Sequence, residues 1–541
     1  MSDSQTGRDA PRRGVFTRFL DGVEWLGNLL PHPVTLFAIL AVGIVLLSGV
    51  FGWLGVAVED PRPAGARGVA EDGMIRAVSL LDGDGIRRIW TNLVTNFTGF
   101  APLGVVLVAM LGVGVAEKSG LLSAAVRAMV LSAPRHVVTV AIVFAGILSN
   151  TASEVGYVVL IPLAGAIFYA LGRHPLAGMA AAFAGVSGGY SANLLIGTID
   201  PLLAGITQEA ARLIDPDYEV LATANWYFMF ASTFVITAIG SLVTIFIVEP
   251  KLGKYDPSRA DETVLDKHMM QPLEPGERKG LLWAGLAILG VFALMALTLA
   301  PEWGVLRNPD TGDRIASPFF RGFVVWILIF FIAAGYAYGR ATGTMKTDRD
   351  VIDAMAGAIS ALGLYIVLVF FAAQFVAFFG WTNLGAITAV TGAQFLQDTG
   401  MTGPLVFFLF ILMCAVINLS LGSASAQWAV TAPIFVPMLM LIGYAPEVIQ
   451  AAYRIGDSST NIITPMMSYF GLILAWATRY DKNLGVGTLI AMMLPYSIFF
   501  LIFWSSFFYL WAFGLDLPFG LGLPGLPVGP GSPTYYPSAA G

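Results

Sequence analysis

The chain alternates long apolar runs with short polar connections. Nine runs are long enough to cross a bilayer as helices: Val34–Leu54, Pro102–Ala116, Pro175–Ile199, Trp226–Val248, Leu281–Ala300, Phe323–Gly339, Ala358–Phe379, Pro446–Thr478 and Gly485–Phe513. A spanning helix takes ~20 predominantly apolar residues. Two further runs, Val137–Ser149 and Leu405–Ile417, are apolar for only 13 residues and then meet a polar break. A second short arm follows each break, Val155–Leu171 and Trp428–Ile442. This pattern predicts re-entrant helical hairpins over 137–171 and 405–442. The second tip lies within LGSASAQWAV, Leu421 to Val430, which is small, polar and poor in helix formers although apolar runs flank it. Irregular backbone at membrane depth is tolerated only where protein or an aqueous cavity covers it. The fold class expected is therefore all-α and polytopic, with about nine spans and two inverted re-entrant hairpins.

Halves of this kind suggest an inverted repeat. Asn150 in SNTASEVGYVVLIP and Asn418 in NLSLGSASAQWAVTAP stand 268 residues apart, as do Asn193 and Asn461, Gly188 and Gly456, and Ser191 and Ser459. Allowing a three-residue gap, Tyr157 aligns with Trp428 and Pro162 with Pro433. Each copy joins a hairpin to a span interrupted by Gly, Ser and Asn, at Gly185–Asn193 and at Gly456–Asn461 followed by Pro465. Paired interruptions in two halves point to a transporter's binding site near the bilayer midplane. The bland alternative for any one such cluster is close helix packing through small residues. Four clusters paired at one offset favour the site.

This divides the chain into an N-terminal segment (1–33), a first transport repeat (34–250, hairpin 137–171, broken helix 175–199), a cytoplasmic loop (251–280), a second transport repeat (281–513, hairpin 405–442, broken helix 446–478) and a Gly/Pro-rich tail (514–541). Phe16–Leu30 has apolar residues at helical spacing with charges between them and predicts an interfacial helix ending before Pro31. No cleavable signal is expected at the N-terminus. Arg8, Arg12, Arg13 and Arg18 place that end in the cytoplasm, and basic residues mark the 251–280 and 340–349 loops as cytoplasmic. Nine spans then put the C-terminus outside the cytoplasmic membrane. The Glu59–Arg88 loop carries arginines on the expected outer side, but long loops obey the charge rule poorly.

Composition agrees with the pattern. The 541 residues are 57% hydrophobic and 12% charged, against about 25% charged in soluble domains. A net charge of −6 gives no reason to expect nucleic acid. The single cysteine, Cys414, allows no intrachain disulfide, and histidines 32, 136, 174 and 268 show no ligand spacing.

The candidate chemistry lies in the interrupted spans. Asp457 is a carboxylate at membrane depth, expensive unless paired or hydrated. With Asn418, Asn461 and freed carbonyls it offers hard oxygen ligands to Na⁺, or it carries a proton; the plainer account is an ion pair with Arg454, three residues away. Arg454 could fork two hydrogen bonds to a ligand carboxylate. Trp428 presents a flat apolar face for an aromatic ring, although a membrane-protein tryptophan is more often packing. Asp200 begins an Asp-Pro pair that caps a helix or lines the path. Pro446 suits a helix start. Asn150 and Asn193 form a second cation site by symmetry, or simply tie tip to helix, and Asn193 and Ser425 are also candidates for contacting substrate. Glu154 ranks below the asparagines.

The motifs LDGVEWLGNLLPHPVTLF (Leu20–Phe37), SNTASEVGYVVLIPLAG, GGYSANLLIGTIDPLLAGIT and YRIGDSSTNIITPMMSYF resemble those of the AbgT family, the p-aminobenzoyl-glutamate transporters, over nearly the whole chain. The resemblance implies a homodimer with nine spans and two inverted hairpins per protomer, of the elevator type. It implies transport of p-aminobenzoyl-glutamate or export of p-aminobenzoic acid derivatives and sulfonamides, driven by Na⁺ or protons, with no other cofactor. It maps family site residues onto Asp200, Trp428, Pro446, Arg454 and Asp457, with Asn418 beside the cation.

Two other classes compete. Gly185-Val-Ser187-Gly-Gly189 matches the G-x-S-x-G of serine hydrolases, but no histidine sits at its depth to act as base. A channel would show pore-lining rings rather than paired hairpins within one chain. No G-x-x-x-x-G-K-[ST] loop is present, which argues against ATP-driven transport. The class that remains is a secondary active transporter, for which the resemblance implies p-aminobenzoyl-glutamate and related folate breakdown products as substrates, with sulfonamide efflux as the alternative.

Overall fold

The computed structural model describes residues 31–62, 69–152, 155–259 and 272–521. The predicted interfacial helix over Phe16–Leu30, residue Glu154 and the tail from 522 lie outside the described residues. Helices of nine residues or more are, in chain order, α1 (Pro33–Trp53), α2 (Gly83–Thr98), α3 (Ala101–Ser119), α4 (Leu121–Leu131), α5 (Val138–Ser149), α6 (Ile161–Ala170), α7 (Pro175–Phe183), α8 (Ile199–Ala211), α9 (Trp226–Val243), α10 (Pro275–Leu299), α11 (Phe323–Thr342), α12 (Asp348–Ala361), α13 (Gly363–Trp381), α14 (Leu384–Asp398), α15 (Leu405–Leu421), α16 (Ala424–Leu441), α17 (Pro446–Asn461), α18 (Phe470–Thr478) and α19 (Val486–Tyr509). Part of the hydrophilic loop after α1 forms a small antiparallel ribbon, β1 (Ala57–Glu59) on β2 (Met74–Arg76), with Val58 opposite Ile75.

Among the described residues, eight helical stretches are long and apolar enough to cross a membrane. Seven fall on predicted spans. The eighth is α16, expected as a short hairpin arm. The spans Pro175–Ile199 and Pro446–Thr478, predicted as broken helices, are each interrupted. In the first, α7 passes into a π-helical turn (Ala184–Gly188) and irregular chain before α8. In the second, α17 runs unbroken to Asn461 and α18 starts at Phe470. The run predicted from Ala358 begins at Gly363, because α12 ends at Ala361.

Two tip details correct the sequence reading. The interruption at 418–427 is much tighter than expected: α15 continues to Leu421 and α16 restarts at Ala424. Gly422 makes this possible with φ +46, the left-handed conformation that stops a helix and favours glycine. A Cβ there would also lie 2.9 Å from the Met466 carbonyl group. The second correction is Gly456, which lies in regular helix rather than in a break. A Cβ on it would stand 2.5 Å from the Ile411 carbonyl oxygen of α15, so this glycine serves close helix approach.

Helix chemistry sorts by solvent. On α10 only Gly280, Ala284 and Val291 are buried, while Leu282, Leu286, Leu289 and Phe292 are exposed. Exposed leucines on an apolar helix suit a surface that meets lipid. On α17 the reverse holds: every residue is buried although the helix carries Gln450, Arg454, Asp457, Ser458, Ser459, Thr460 and Asn461. It packs against α15, α19, α16 and α8.

Gly456→Ala is expected to push α17 off α15 and to destabilise the fold by about 1–3 kcal/mol. Gly285→Ala, at a position with open space around it, should leave the melting temperature unchanged. Thermal unfolding of both variants in detergent checks this.

Candidate functional site

The polar groups of α17 meet the two halves of the chain at different heights. Deep along it, Asn418 of α15 reaches across. Its Nδ2 lies 2.8 Å from the Asp457 carbonyl oxygen, 3.0 Å from Thr460 Oγ1 and 2.8 Å from Asn461 Oδ1. An amide NH₂ has two hydrogens, so these three acceptors compete. Asn461 in turn donates to Asp457 Oδ2 at 3.5 Å. The second oxygens of the set, Asn418 Oδ1 and Asp457 Oδ1, are buried with no hydrogen-bond partner among the described residues, as are the Ser458 and Ser459 hydroxyls. Buried oxygens without donors are uncommon in folded proteins. Here two of them are acceptors, and one belongs to a carboxylate. This donor set fits a small hard cation such as Na⁺. No cluster of three or more His, Cys, Asp or Glu suited to a metal occurs among the described residues.

Arg454 is fully buried, and its partner is not Asp457. Its Nη2 donates to Asp200 Oδ1 at 2.5 Å, and Asp200 Oδ2 accepts the Gly197 N–H at 2.7 Å. The predicted pair along one helix is therefore an ion pair from α17 to α8, joining the two sequence repeats. Nε and Nη1 of Arg454 have no partner among the described residues. The guanidinium charge is balanced while two of its nitrogens remain free to donate.

Trp428 is fully buried. Its indole stacks on Tyr453 (4.3 Å between centroids, 21° between planes), and its Nε1 donates to Thr207 Oγ1 at 2.9 Å. From Thr207 a chain of hydrogen bonds runs to Gln450, Asn225 and the Glu447 carbonyl. The Glu447 carboxylate accepts from the Tyr218 hydroxyl at 2.8 Å. Sequence reasoning missed this network, which is spread over four elements. Pro446 occupies the first turn of α17, as a helix starter does.

The first repeat is built alike. Asn150 Nδ2 donates to the Val186 carbonyl at 2.9 Å, and the Thr151 hydroxyl donates to Asn193 Oδ1 at 2.8 Å. Asn150 and Asn418 thus each tie a hairpin tip to the span that follows it. Thr151 is the link from that tip to Asn193.

A cavity of about 430 Å³ opens beside these tips. Asn150, Asn461 and the Gly422–Ser425 turn line it, together with Tyr157, Tyr190, Tyr365, Met467, Tyr469 and, from α3, Glu117. The volume lies in the usual range for small-molecule sites, roughly 300–1,000 Å³. Of the candidate residues, Ser425, Asn150 and Asn461 line it, whereas Trp428, Arg454, Asp200, Asp457, Asn418, Asn193 and Pro446 do not. The four tyrosines carried one usable signal: Tyr157 aligns with Trp428 in the repeat.

Eight lipid-length helices among the described residues, a wholly buried polar helix and a cavity against two tips fit a membrane transporter. The chain belongs to the AbgT family: the model described as "AbgT putative transporter family" matches residues 18–536. It is 37% identical over 510 residues to the p-aminobenzoyl-glutamate transport protein of Escherichia coli (strain K12), covering 94% of this chain and 95% of that protein. Among solved structures it is similar to Neisseria gonorrhoeae MtrF, described among antimetabolite efflux pumps (60% identity, TM-score 0.88, covering 95% of this chain and 100% of that one). It is also similar to the Alcanivorax borkumensis YdaH transporter (46% identity, TM-score 0.83, covering 91% and 100%).

Asp200→Asn should destabilise the protein by about 3–5 kcal/mol, because it strands a buried guanidinium. Adding Arg454→Gln should recover part of that loss. A double-mutant cycle on unfolding in detergent checks the coupling.

Proposed function

We propose that this chain is a secondary active transporter of p-aminobenzoyl-glutamate and related p-aminobenzoic acid or folate-breakdown compounds, driven by a cation gradient across the bacterial cytoplasmic membrane. The observation that carries the reading is the double role of Asn461. It lines the cavity and also bonds Asn418 and Asp457, whose free oxygens suit the cation. A cation held there orders the side chain that the substrate meets, which is how one ligand can change the affinity for another. Asn150 and Asn193 offer a second cation position by symmetry. In this reading the segments over 137–171 and 405–442 are re-entrant hairpins that move with the broken helices as an elevator. The protein is a homodimer, with its N-terminus in the cytoplasm and its C-terminus outside.

The 60% identity to an antimetabolite efflux pump supports a second reading, proton-driven export of sulfonamides. Asp457 then carries the proton on the oxygen left without a partner.

Proteoliposomes decide between them. With an inward Na⁺ gradient alone, labelled p-aminobenzoyl-glutamate is expected to accumulate. Expulsion of preloaded sulfonamide under a proton gradient alone, with no response to Na⁺, would establish the second reading. Asp457→Asn should reduce gradient-driven flux at least tenfold under either driving ion, because it removes the only charge on the cation cluster. Wild-type flux in that variant would sink the assignment.

A further inference from the structure

The ring of an aromatic substrate needs a wall it can reach, and Trp428 does not provide one. Its face is covered by Tyr453, its N–H is bonded to Thr207, and it is fully buried. Another aromatic surface lines the cavity. Tyr469, just before α18, stacks on Tyr157 of the first repeat with centroids 4.6 Å apart and planes 5° apart. Both rings line the cavity. Tyr157 is nearly buried, Tyr469 is half-exposed, and Tyr469 has no second ring partner among the described residues. Tyr365 also lines the cavity. Its hydroxyl is taken by the Pro102 carbonyl at 3.0 Å, so its ring is what it offers. Asn150 and Asn461 supply amide groups on the same lining, and Glu117 is its one carboxylate.

We infer that Tyr469, backed by Tyr157, is the platform on which the aryl ring of an aryl-amide carboxylate stacks. The inference rests on the proposed transport of aromatic substrates and adds the subsite. An offset stack on a ring already held by a second ring loses little side-chain freedom when the ligand arrives. Glu117 repels a ligand carboxylate whereas the Asn150 and Asn461 amides can donate to one, so the acidic end is assigned to the asparagines and the ring to the tyrosines.

Calorimetric titration of the purified full chain in detergent with p-aminobenzoyl-glutamate and with N-acetyl-glutamate tests this, since the second ligand keeps the amide and both carboxylates but has no ring. Tyr469→Leu is expected to weaken the aryl ligand about 3- to 10-fold and to leave N-acetyl-glutamate unchanged. Tyr469→Phe should retain both affinities. Wild-type affinity for the aryl ligand in Tyr469→Leu would overturn the inference. A second measurement needs no variant: photolysis of p-azidobenzoyl-glutamate bound to the unaltered protein should label the peptides holding Tyr469 and Tyr157. Adducts confined to the peptide holding Trp428 would overturn it. If the unaltered protein binds no aryl ligand at all, the transport reading fails and this inference falls with it. Aryl binding that is indifferent to Tyr469 fails the inference alone.

Discussion

A helix with an arginine, an aspartate, an asparagine and several hydroxyls within sixteen residues has no stable place against lipid, and α17 is such a helix. An ionised side chain at the bilayer centre costs at least ~2.5–3.5 kcal/mol. The rest of the molecule is arranged to keep α17 covered. Helices α15, α16, α19 and α8 surround it, and Gly456 allows the closest approach, where it meets the backbone of α15. Outside this shell the helices turn apolar side chains outward, as α10 does. The polar helix therefore decides which helices are buried and which face lipid.

Covering the helix does not satisfy it. Arg454 keeps two nitrogens without partners, and Asn418 and Asp457 each keep an oxygen. A purely structural polar core would close such groups, because an unpaired buried polar atom costs about 1–3 kcal/mol. Their position, one residue network away from a cavity at two tips, suits ligands that come and go. The Arg454–Asp200 pair joins the two repeats about one helical turn away from Asp457.

The aromatic residues show why residue type alone misleads. Trp428 and Tyr157 are repeat counterparts, yet one is sealed under Tyr453 and the other lines the cavity. The difference comes from what packs on each ring. Those neighbours, Tyr453 and Tyr469, lie 25 and 312 residues away in the chain.

The sequence by itself determined the class of solvent, the approximate spans and the repeat offset, because hydropathy acts locally along the chain. It also marked Asp457 and Asn461 as neighbours, since residues four apart on a helix share a face, and singled out Asn418 through its repeat counterpart Asn150. Only the tertiary structure decided that Arg454 pairs with Asp200 rather than Asp457, that Gly456 sits in intact helix, and that Tyr469 rather than Trp428 reaches the cavity. It alone assembled the Tyr218–Glu447–Asn225–Gln450–Thr207 network. Each of these depends on a partner from a distant segment, and the pattern of a single helix does not record which neighbour will cover it.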